Sequence, residues 1–158
     1  KESNIDALYL VDSFGALYSE QISHLAQKYK SLMPTKEIGI HAHNNQQLAF
    51  SNTIEAVIQN INYLDGTIFG IGRAAGNCPL ELLLGFLKNP KYDLRPILEI
   101  LESHFVKLKE EIEWGYTIPY MITGILDLHP RAGMKLRKSE SKDDYLGFFD
   151  SLAQSDSA

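Results

Sequence analysis

Short apolar runs alternate with helical apolar repeats along the first half of the chain. The apolar runs over residues 5–11, 38–43 and 64–69 have the length and continuity typical of buried strands. Apolar residues three and four positions apart predict a helix after each run, the third over residues 80–87. Ser19 is predicted to cap the first helix, Asn44 and Asn45 can cap the second, and Pro79 suits the start of the third. The predicted order is therefore β-α-β-α-β-α.

The repeats are about 30 residues long, which is the size of parallel βαβ units. Parallel sheets place their chemistry at the carboxyl ends of the strands. Polar residues collect at those ends in this chain: Asp12 and Ser13, then His41 and His43, then the glycine loop of residues 70–77. We therefore expect a functional site along this edge of the sheet.

The pattern changes after Pro90. Residues 94–113 predict one long amphipathic helix, and the aromatic segment that follows is predicted to be helical after Pro119. Residues 144–152 predict a short last helix. The predicted domains are a partial catalytic domain, a helical C-terminal extension and a flexible tail, over residues 1–90, 91–150 and 151–158.

Composition and net charge argue against several classes of protein function. The 158 residues are 44% hydrophobic with a formal net charge of −5, a balance that suits a soluble globular domain and argues against a nucleic-acid surface. No apolar run approaches the roughly 20 residues of a membrane helix. The single cysteine, Cys78, is predicted to be buried, and its lack of a disulfide partner fits a reducing cytoplasm. Because the chain begins at Lys1 without a methionine, we expect it to be part of a longer protein.

The sharpest chemical signal is His41-Ala42-His43. Two histidines at positions i and i+2 of a strand lie on the same face, so both imidazoles can reach one divalent metal at the strand end. From the spacing alone, two unrelated histidines remain an equal alternative. A metal site here needs at least one further ligand, most simply a carboxylate from another strand end.

Residues 70–77 form a glycine-rich loop between a strand and a helix. The loop nearly matches the dinucleotide fingerprint, but it is not the first strand–helix turn and lacks the acidic residue expected about 20 residues later. Its backbone N–H groups and the cation of Arg73 favour an anionic substrate. Asn77 is interpreted either as a helix cap or as a metal ligand.

Taken together, these blocks resemble the DRE-TIM metallolyase superfamily, which includes HMG-CoA lyase and the hydroxy-oxovalerate aldolases. The matching blocks are Asp12-Ser13-x-Gly15, His41-Ala42-His43-Asn44-Asn45, Asp65-Gly66-Thr67, and the loop from Gly70 to Glu81. Their order and spacing agree with the family over residues 5–87. The hydroxy-oxovalerate aldolases are the most similar branch.

The resemblance implies an α/β fold in which this chain supplies strands six to eight, the last three βα units of a (β/α)8 TIM barrel, plus a mainly helical C-terminal extension. It implies a divalent metal, Mn²⁺ or Mg²⁺ in preference to Zn²⁺. The resemblance implies that His41, His43 and Asn77 bind the metal. It implies that Ser13 contacts the substrate and that Tyr120 acts in acid/base catalysis. Arg73 is the further candidate for binding the substrate.

The implied activity is that of a carbon–carbon lyase, an aldolase acting next to a 2-oxo acid. The implied partners are a small 2-oxo acid and a second copy or a partner enzyme, with no nucleic acid and no membrane, in the cytoplasm. The family's first strand carries an aspartate ligand and a catalytic arginine, and this chain has no such block. We therefore expect the longer protein to be the enzyme and this chain alone to be inactive.

Three alternatives remain open. A metal-dependent hydrolase of the barrel type also uses two histidines in this pattern. A non-catalytic module derived from a barrel would act through oligomer contacts. A phosphate or nucleotide binder would use residues 70–77, and its ligand binding would survive removal of the histidines and of metal.

Overall fold

A three-stranded parallel sheet organises the first half of the chain. A computed structural model describes residues 4–155. The strands lie in the order β1-β2-β3 and alternate with helices, so the predicted α/β order is confirmed. The elements are β1 (Ala7–Asp12), α1 (Ser19–Leu32), β2 (Glu37–Ala42), α2 (Ala49–Ile58), β3 (Tyr63–Leu64) and α3 (Leu80–Leu87).

Helices pack on one face of this sheet, and the other face is open in the described residues. β1 and β2 pair in register along their whole length, so alternate residues of both strands share a face. Leu10, Ile38 and Ile40 are almost fully buried and form a core with residues of α1 and α2. On the opposite face Val11 is 49% exposed and Tyr63 is 44% exposed.

The third strand is shorter than the sequence predicts. The apolar run over residues 64–69 predicts a strand, but only Tyr63–Leu64 pairs with β2. The backbone N–H of Asp65 still donates to the carbonyl of Ile40 at 3.0 Å, after which the chain leaves the sheet. A 3-10 turn over Ile68–Gly70 follows. The apolar side chains of the run therefore pack in a turn rather than in a strand.

The N-terminal caps of two helices differ from the prediction. Tyr18, not Ser19, is the N-cap of α1, and its backbone N–H donates to a glutamine side chain three residues on. α2 begins only at Ala49, whose N–H donates to Oδ1 of Asn44 at 3.1 Å. Asn45, also predicted to cap α2, is buried instead, because it packs between the turn after β1 and the C-terminal helices.

The C-terminal part is helical, as predicted, but the long helix predicted over residues 94–113 contains a π-helical stretch and ends earlier. No residue of that run is fully buried, whereas α6 places most of its residues in the interior. The elements are α4 (Arg95–Ile100), the π-helical stretch (Leu101–Phe105), α5 (Val106–Glu111), α6 (Ile118–Ile125), α7 (Arg131–Arg137) and α8 (Tyr145–Ser155).

The last helix, α8, extends further towards the end of the chain than predicted. Residues 151–155 were predicted to be a flexible tail, but they continue α8. The rest of that predicted tail, residues 156–158, lies outside the described residues. Among the helices of residues 4–155, none has both the length and the apolar character needed to cross a membrane.

Gly15→Ala tests the packing between the turn after β1 and Asn45. Gly15 has a φ of +60°, and a Cβ there would lie 2.6 Å from the backbone nitrogen of Asn45. We expect the free energy of unfolding to fall by about 2 kcal/mol or more, because the left-handed backbone and the close contact both penalise a side chain. Urea denaturation of the chain measures this change.

Gly85→Ala is the matched control within α3. No atom lies within 4 Å of the position its Cβ would take. Alanine is the better helix former, so we expect the free energy of unfolding to rise by up to about 1 kcal/mol. Equal effects of the two substitutions would contradict the packing described for Gly15.

Candidate functional site

The carboxyl ends of β1 and β2 meet at one edge of the sheet, and the buried side chain of Asp12 closes the first turn there. Its carboxylate accepts the backbone N–H groups of Ala16 at 3.0 Å and Leu17 at 3.3 Å. Its backbone carbonyl accepts the N–H of His43 at 3.2 Å. Burial raises the pKa of Asp12, although these hydrogen bonds oppose the shift. Asp12 therefore shapes the turn and holds the backbone of His43.

His41 and His43 lie side by side at the end of β2. Their ring centres are 5.2 Å apart and their ring planes meet at 73°. Burial lowers the pKa of His43 to about 4, and the charges of His41 and Arg73 add to this effect. The imidazole of His43 is therefore neutral at pH 7, which is the form that binds metals.

Asp65 joins this pair, a role that the sequence did not reveal. Its Oδ2 lies 3.0 Å from Nδ1 of His41. The available signal was the polar residue Asp65 near the start of the third apolar run, but the register between β2 and β3 is not readable from sequence. Within residues 4–155, no three His, Cys, Asp or Glu side chains come together as a metal-binding group.

Asn77 lies opposite His43, because the two residues form an isolated antiparallel bridge. Its Nδ2 donates to the carbonyl of Ile71 at 3.1 Å, which fixes the amide. Its Oδ1 is buried and accepts no hydrogen bond from the described residues. α3 has Pro79 as its N-cap, so the interpretation of Asn77 as a helix cap is wrong. An unpaired amide oxygen beside a neutral imidazole suits a divalent cation, and these residues fit the implied metal.

The glycine loop brings Arg73 to the turn after β1. Gly76 has a φ of +83°, and a Cβ there would overlap the carbonyl oxygen of Gly70, so only glycine fits. Nη2 of Arg73 donates to the carbonyl of Ser13 at 3.3 Å. Both residues are exposed, and the charge of Arg73 acts on His43. The two residues predicted to bind substrate therefore lie together, near the histidine pair.

Tyr120 packs against the same loop. Its side chain is 7% exposed and forms a small core cluster with Ala74 and Ala75, against which Met134 packs. Burial raises the pKa of Tyr120, so its phenol is protonated at pH 7. In the described part of the chain, no hydrogen bond or ring contact joins Tyr120 to either histidine of β2.

A protein-family model matches the part of the chain that contains this site. The model named HMGL-like matches residues 1–103, which contain the histidine pair, Asp65 and the whole glycine loop. The chain belongs to the HMGL-like family. The resemblance recognised from the sequence motifs is thereby confirmed.

The HMGL-like match extends to individual curated proteins. The 4-hydroxy-2-oxovalerate aldolase of Thermus thermophilus is 37% identical over 101 residues, covering 61% of this chain and 29% of that protein. The enzyme of the same name from Carboxydothermus hydrogenoformans is 36% identical over 102 residues, covering 62% and 30%. The oxaloacetate decarboxylase of Mycobacterium tuberculosis is 33% identical over 88 residues, covering 56% and 26%. The chain thus spans less than a third of the length of these relatives.

Solved structures confirm an α/β fold with parallel strands. The N-terminal domain of a candidate aldolase from Bacteroides vulgatus has a TM-score of 0.75 and 31% identity, covering 85% of this chain and 46% of that chain. This coverage exceeds the region matched by the HMGL-like model, so it includes C-terminal helices. The HMG-CoA lyase of Bacillus subtilis, with a TM-score of 0.57 and 22% identity, shares the fold over 68% of this chain and 38% of that chain.

Asp12→Asn tests the buried turn carboxylate through pH dependence. Because folding raises the pKa of Asp12, the folded state binds its proton more tightly than the unfolded state. The stability contributed by Asp12 is therefore full below its unfolded pKa of about 3.9 and is lost as pH rises through the folded pKa. We expect the free energy of unfolding of Asp12→Asn, relative to wild type, to increase between about pH 3.5 and pH 7 in urea titrations.

Asp6→Asn is the control for this experiment, because Asp6 is exposed before β1. Asp6→Asn should change the stability relative to wild type less over the same pH range than Asp12→Asn does, because the side chain of Asp6 is exposed. A relative stability of Asp12→Asn that stays flat or decreases with pH would show that the turn does not raise the pKa of Asp12.

Proposed function

We infer that this chain is part of a divalent-metal-dependent aldolase or lyase that cleaves or forms a carbon–carbon bond next to a 2-oxo acid. The observation that carries this inference is the pair His41 and His43 at a strand end, beside the unpaired Oδ1 of Asn77. The relatives named 4-hydroxy-2-oxovalerate aldolase and oxaloacetate decarboxylase support the substrate class, because both names specify a 2-oxo acid.

The sheet would form the last three βα units, strands six to eight, of a TIM barrel. Each strand of such a barrel turns one face to the helices and the other to the lumen. The division between the core face, with Leu10 and Ile40, and the open face, with Val11 and Tyr63, supports this assignment. The predicted division into residues 1–90 and 91–150 belongs to the same proposal.

The metal, Mn²⁺ or Mg²⁺, would be held by His41, His43 and Asn77. When bound, a divalent ion acts as a Lewis acid on the keto oxygen and stabilises the negative charge that develops as the bond breaks. The three donors are neutral and leave the charge of the ion uncompensated. We therefore expect the complete site in the longer protein, with a carboxylate from another strand, and no catalysis by this chain alone.

Arg73 and Ser13 would bind the substrate carboxylate. The exposed guanidinium of Arg73 is oriented by the carbonyl of Ser13, and Arg–carboxylate hydrogen bonds are strong and directional. The hydroxyl of Ser13 would add a second donor at the same place. Tyr120, whose phenol keeps its proton at neutral pH, would supply the proton to the carbon atom released in cleavage.

We expect the protein to act on a small 2-oxo acid in the cytoplasm and to assemble with a second copy or with a partner enzyme. The exposed apolar side chains of the α4–α5 region support an assembly, since Leu98 is 50% exposed and Val106 is 53% exposed.

Removal of the histidines tests the metal site directly. Isothermal titration of Mn²⁺ should show binding by the wild-type chain, and the double variant His41→Ala/His43→Ala should lose at least about 100-fold in affinity because both imidazole ligands are gone. Asn77→Ala should lose less, since one weaker ligand is removed. The control is His24→Ala on the exposed side of α1, which should bind Mn²⁺ like wild type. Equal affinity of wild type and the double variant would rule out this site.

Tyr120→Phe tests the proton donor in the longer protein that carries this chain. Release of pyruvate from 4-hydroxy-2-oxovalerate should fall in kcat by about 10²- to 10⁴-fold, because the phenolic proton is lost while the packed ring remains. Tyr116→Phe is the matched control, since Tyr116 lies four residues earlier and is 50% exposed. A kcat of Tyr120→Phe equal to that of the control would remove Tyr120 from the reaction.

A further inference from the structure

Tyr9, Gly39 and His41 lie on the open face of the sheet. Tyr9 pairs in register with Gly39, and Val11 pairs with His41. A Cβ on Gly39 would lie 2.5 Å from the ring of Tyr9, so the ring lies directly across this glycine. The absence of a side chain at Gly39 therefore lets the phenol of Tyr9 extend over β2 towards β3.

Asp65 follows β3 directly and lies near this phenol. Its backbone N–H donates to the carbonyl of Ile40, which fixes it beside β2. Burial raises the pKa of Tyr9, and the nearby carboxylate of Asp65 raises it further. Tyr63 stacks on Tyr9 with ring centres 6.3 Å apart. Asp65 thus lies between two polar side chains: its Oδ2 is 3.0 Å from Nδ1 of His41, and its charge acts on the phenol of Tyr9.

The contact with His41 has a chemical consequence. A neutral imidazole carries one N–H, and an ionised carboxylate is an acceptor only. A carboxylate oxygen 3.0 Å from Nδ1 therefore favours the tautomer with the proton on Nδ1 and the lone pair on Nε2. The two side chains are 30% and 44% exposed, so the pair adds little to folding stability, and its effect is on orientation and tautomer.

We propose that Asp65, fixed beside β2 by its backbone bond to Ile40, is a positioning residue that keeps His41 in the Nδ1–H tautomer and so makes Nε2 the metal-binding nitrogen. This proposal rests on the metal site of the proposed function. The two histidines are not equivalent in it, because no carboxylate pairs with His43 among the described residues.

The first measurement is the tautomer of His41 in the metal-free chain. Two-bond ¹H–¹⁵N correlation spectra of the ¹⁵N-labelled chain at about pH 7.5 distinguish Nδ1–H from Nε2–H, and His41→Gln assigns the signals. We expect Nδ1–H in wild type and a shift towards Nε2–H in Asp65→Ala. Asp65→Asn should retain Nδ1–H, because its amide oxygen can still accept a hydrogen bond from Nδ1–H. An unchanged tautomer in Asp65→Ala would overturn the proposal.

The matched control is Glu37→Gln, a carboxylate on the same face of β2 that bonds to Tyr63 and not to His41. It should leave the His41 tautomer unchanged. If Asp65→Ala does not fold, as judged by circular dichroism, Asp65→Ser takes its place, because its shorter side chain does not reach Nδ1 of His41. It should shift the tautomer towards Nε2–H, and no shift in that folded variant would overturn the proposal.

The second measurement is Mn²⁺ affinity by isothermal titration. Asp65→Ala should weaken binding about 10- to 100-fold, and Asp65→Asn should weaken it less. Loss of affinity in Asp65→Ala with an unchanged tautomer would make Asp65 a direct ligand and overturn the positioning role. A wild-type chain that binds no Mn²⁺ but shows the Asp65-dependent tautomer would refute the metal site, while the control of His41 by Asp65 would stand.

Discussion

Backbone hydrogen bonds between the glycine loop and the end of β2 hold the candidate site together. The N–H of Asn44 donates to the carbonyl of Gly76 at 2.9 Å, and the N–H of Cys78 donates to the carbonyl of Ala42 at 3.2 Å. These two bonds flank the bridge that brings Asn77 beside the histidine pair. An unmade hydrogen bond in such a buried place costs about 1–3 kcal/mol, so the loop is held on the strand end.

The C-terminal helices are attached to the same loop. Nε1 of Trp114 donates to the carbonyl of Phe69 at 2.8 Å, and the N–H of Gly115 donates to the carbonyl of Ala74 at 3.2 Å. Tyr120 packs on the two alanines of the loop, Ala74 and Ala75. Larger side chains at these two positions would push Tyr120 away from the loop. These contacts cross the boundary that the hydrophobic pattern suggests near residue 90. A change in the C-terminal helices therefore acts on the position of the site through the loop.

Local patterns predicted those parts of the molecule whose cause is local. The strand–helix order, α3 over Leu80–Leu87 and the shared face of the two histidines follow from periodicity alone. The bond between Asp65 and His41 was not predictable, because it depends on how β3 aligns with β2. The burial of Asn45 was not predictable either, because the helix that covers it lies far along the chain.

Asp65 brings a negative charge to a candidate site whose proposed metal donors are neutral. His41, His43 and Asn77 are neutral donors, and imidazole suits Zn²⁺ better than the Mn²⁺ or Mg²⁺ that the family resemblance implies. A carboxylate bonded to Nδ1 raises the basicity of the opposite nitrogen and brings negative charge to the ion through the ring. In the proposed metal site, Asp65 would therefore compensate part of the missing charge, but it would leave the ion without a direct anionic oxygen. A carboxylate from another strand of a longer barrel would supply that oxygen, which is the physical reason to expect a shared site.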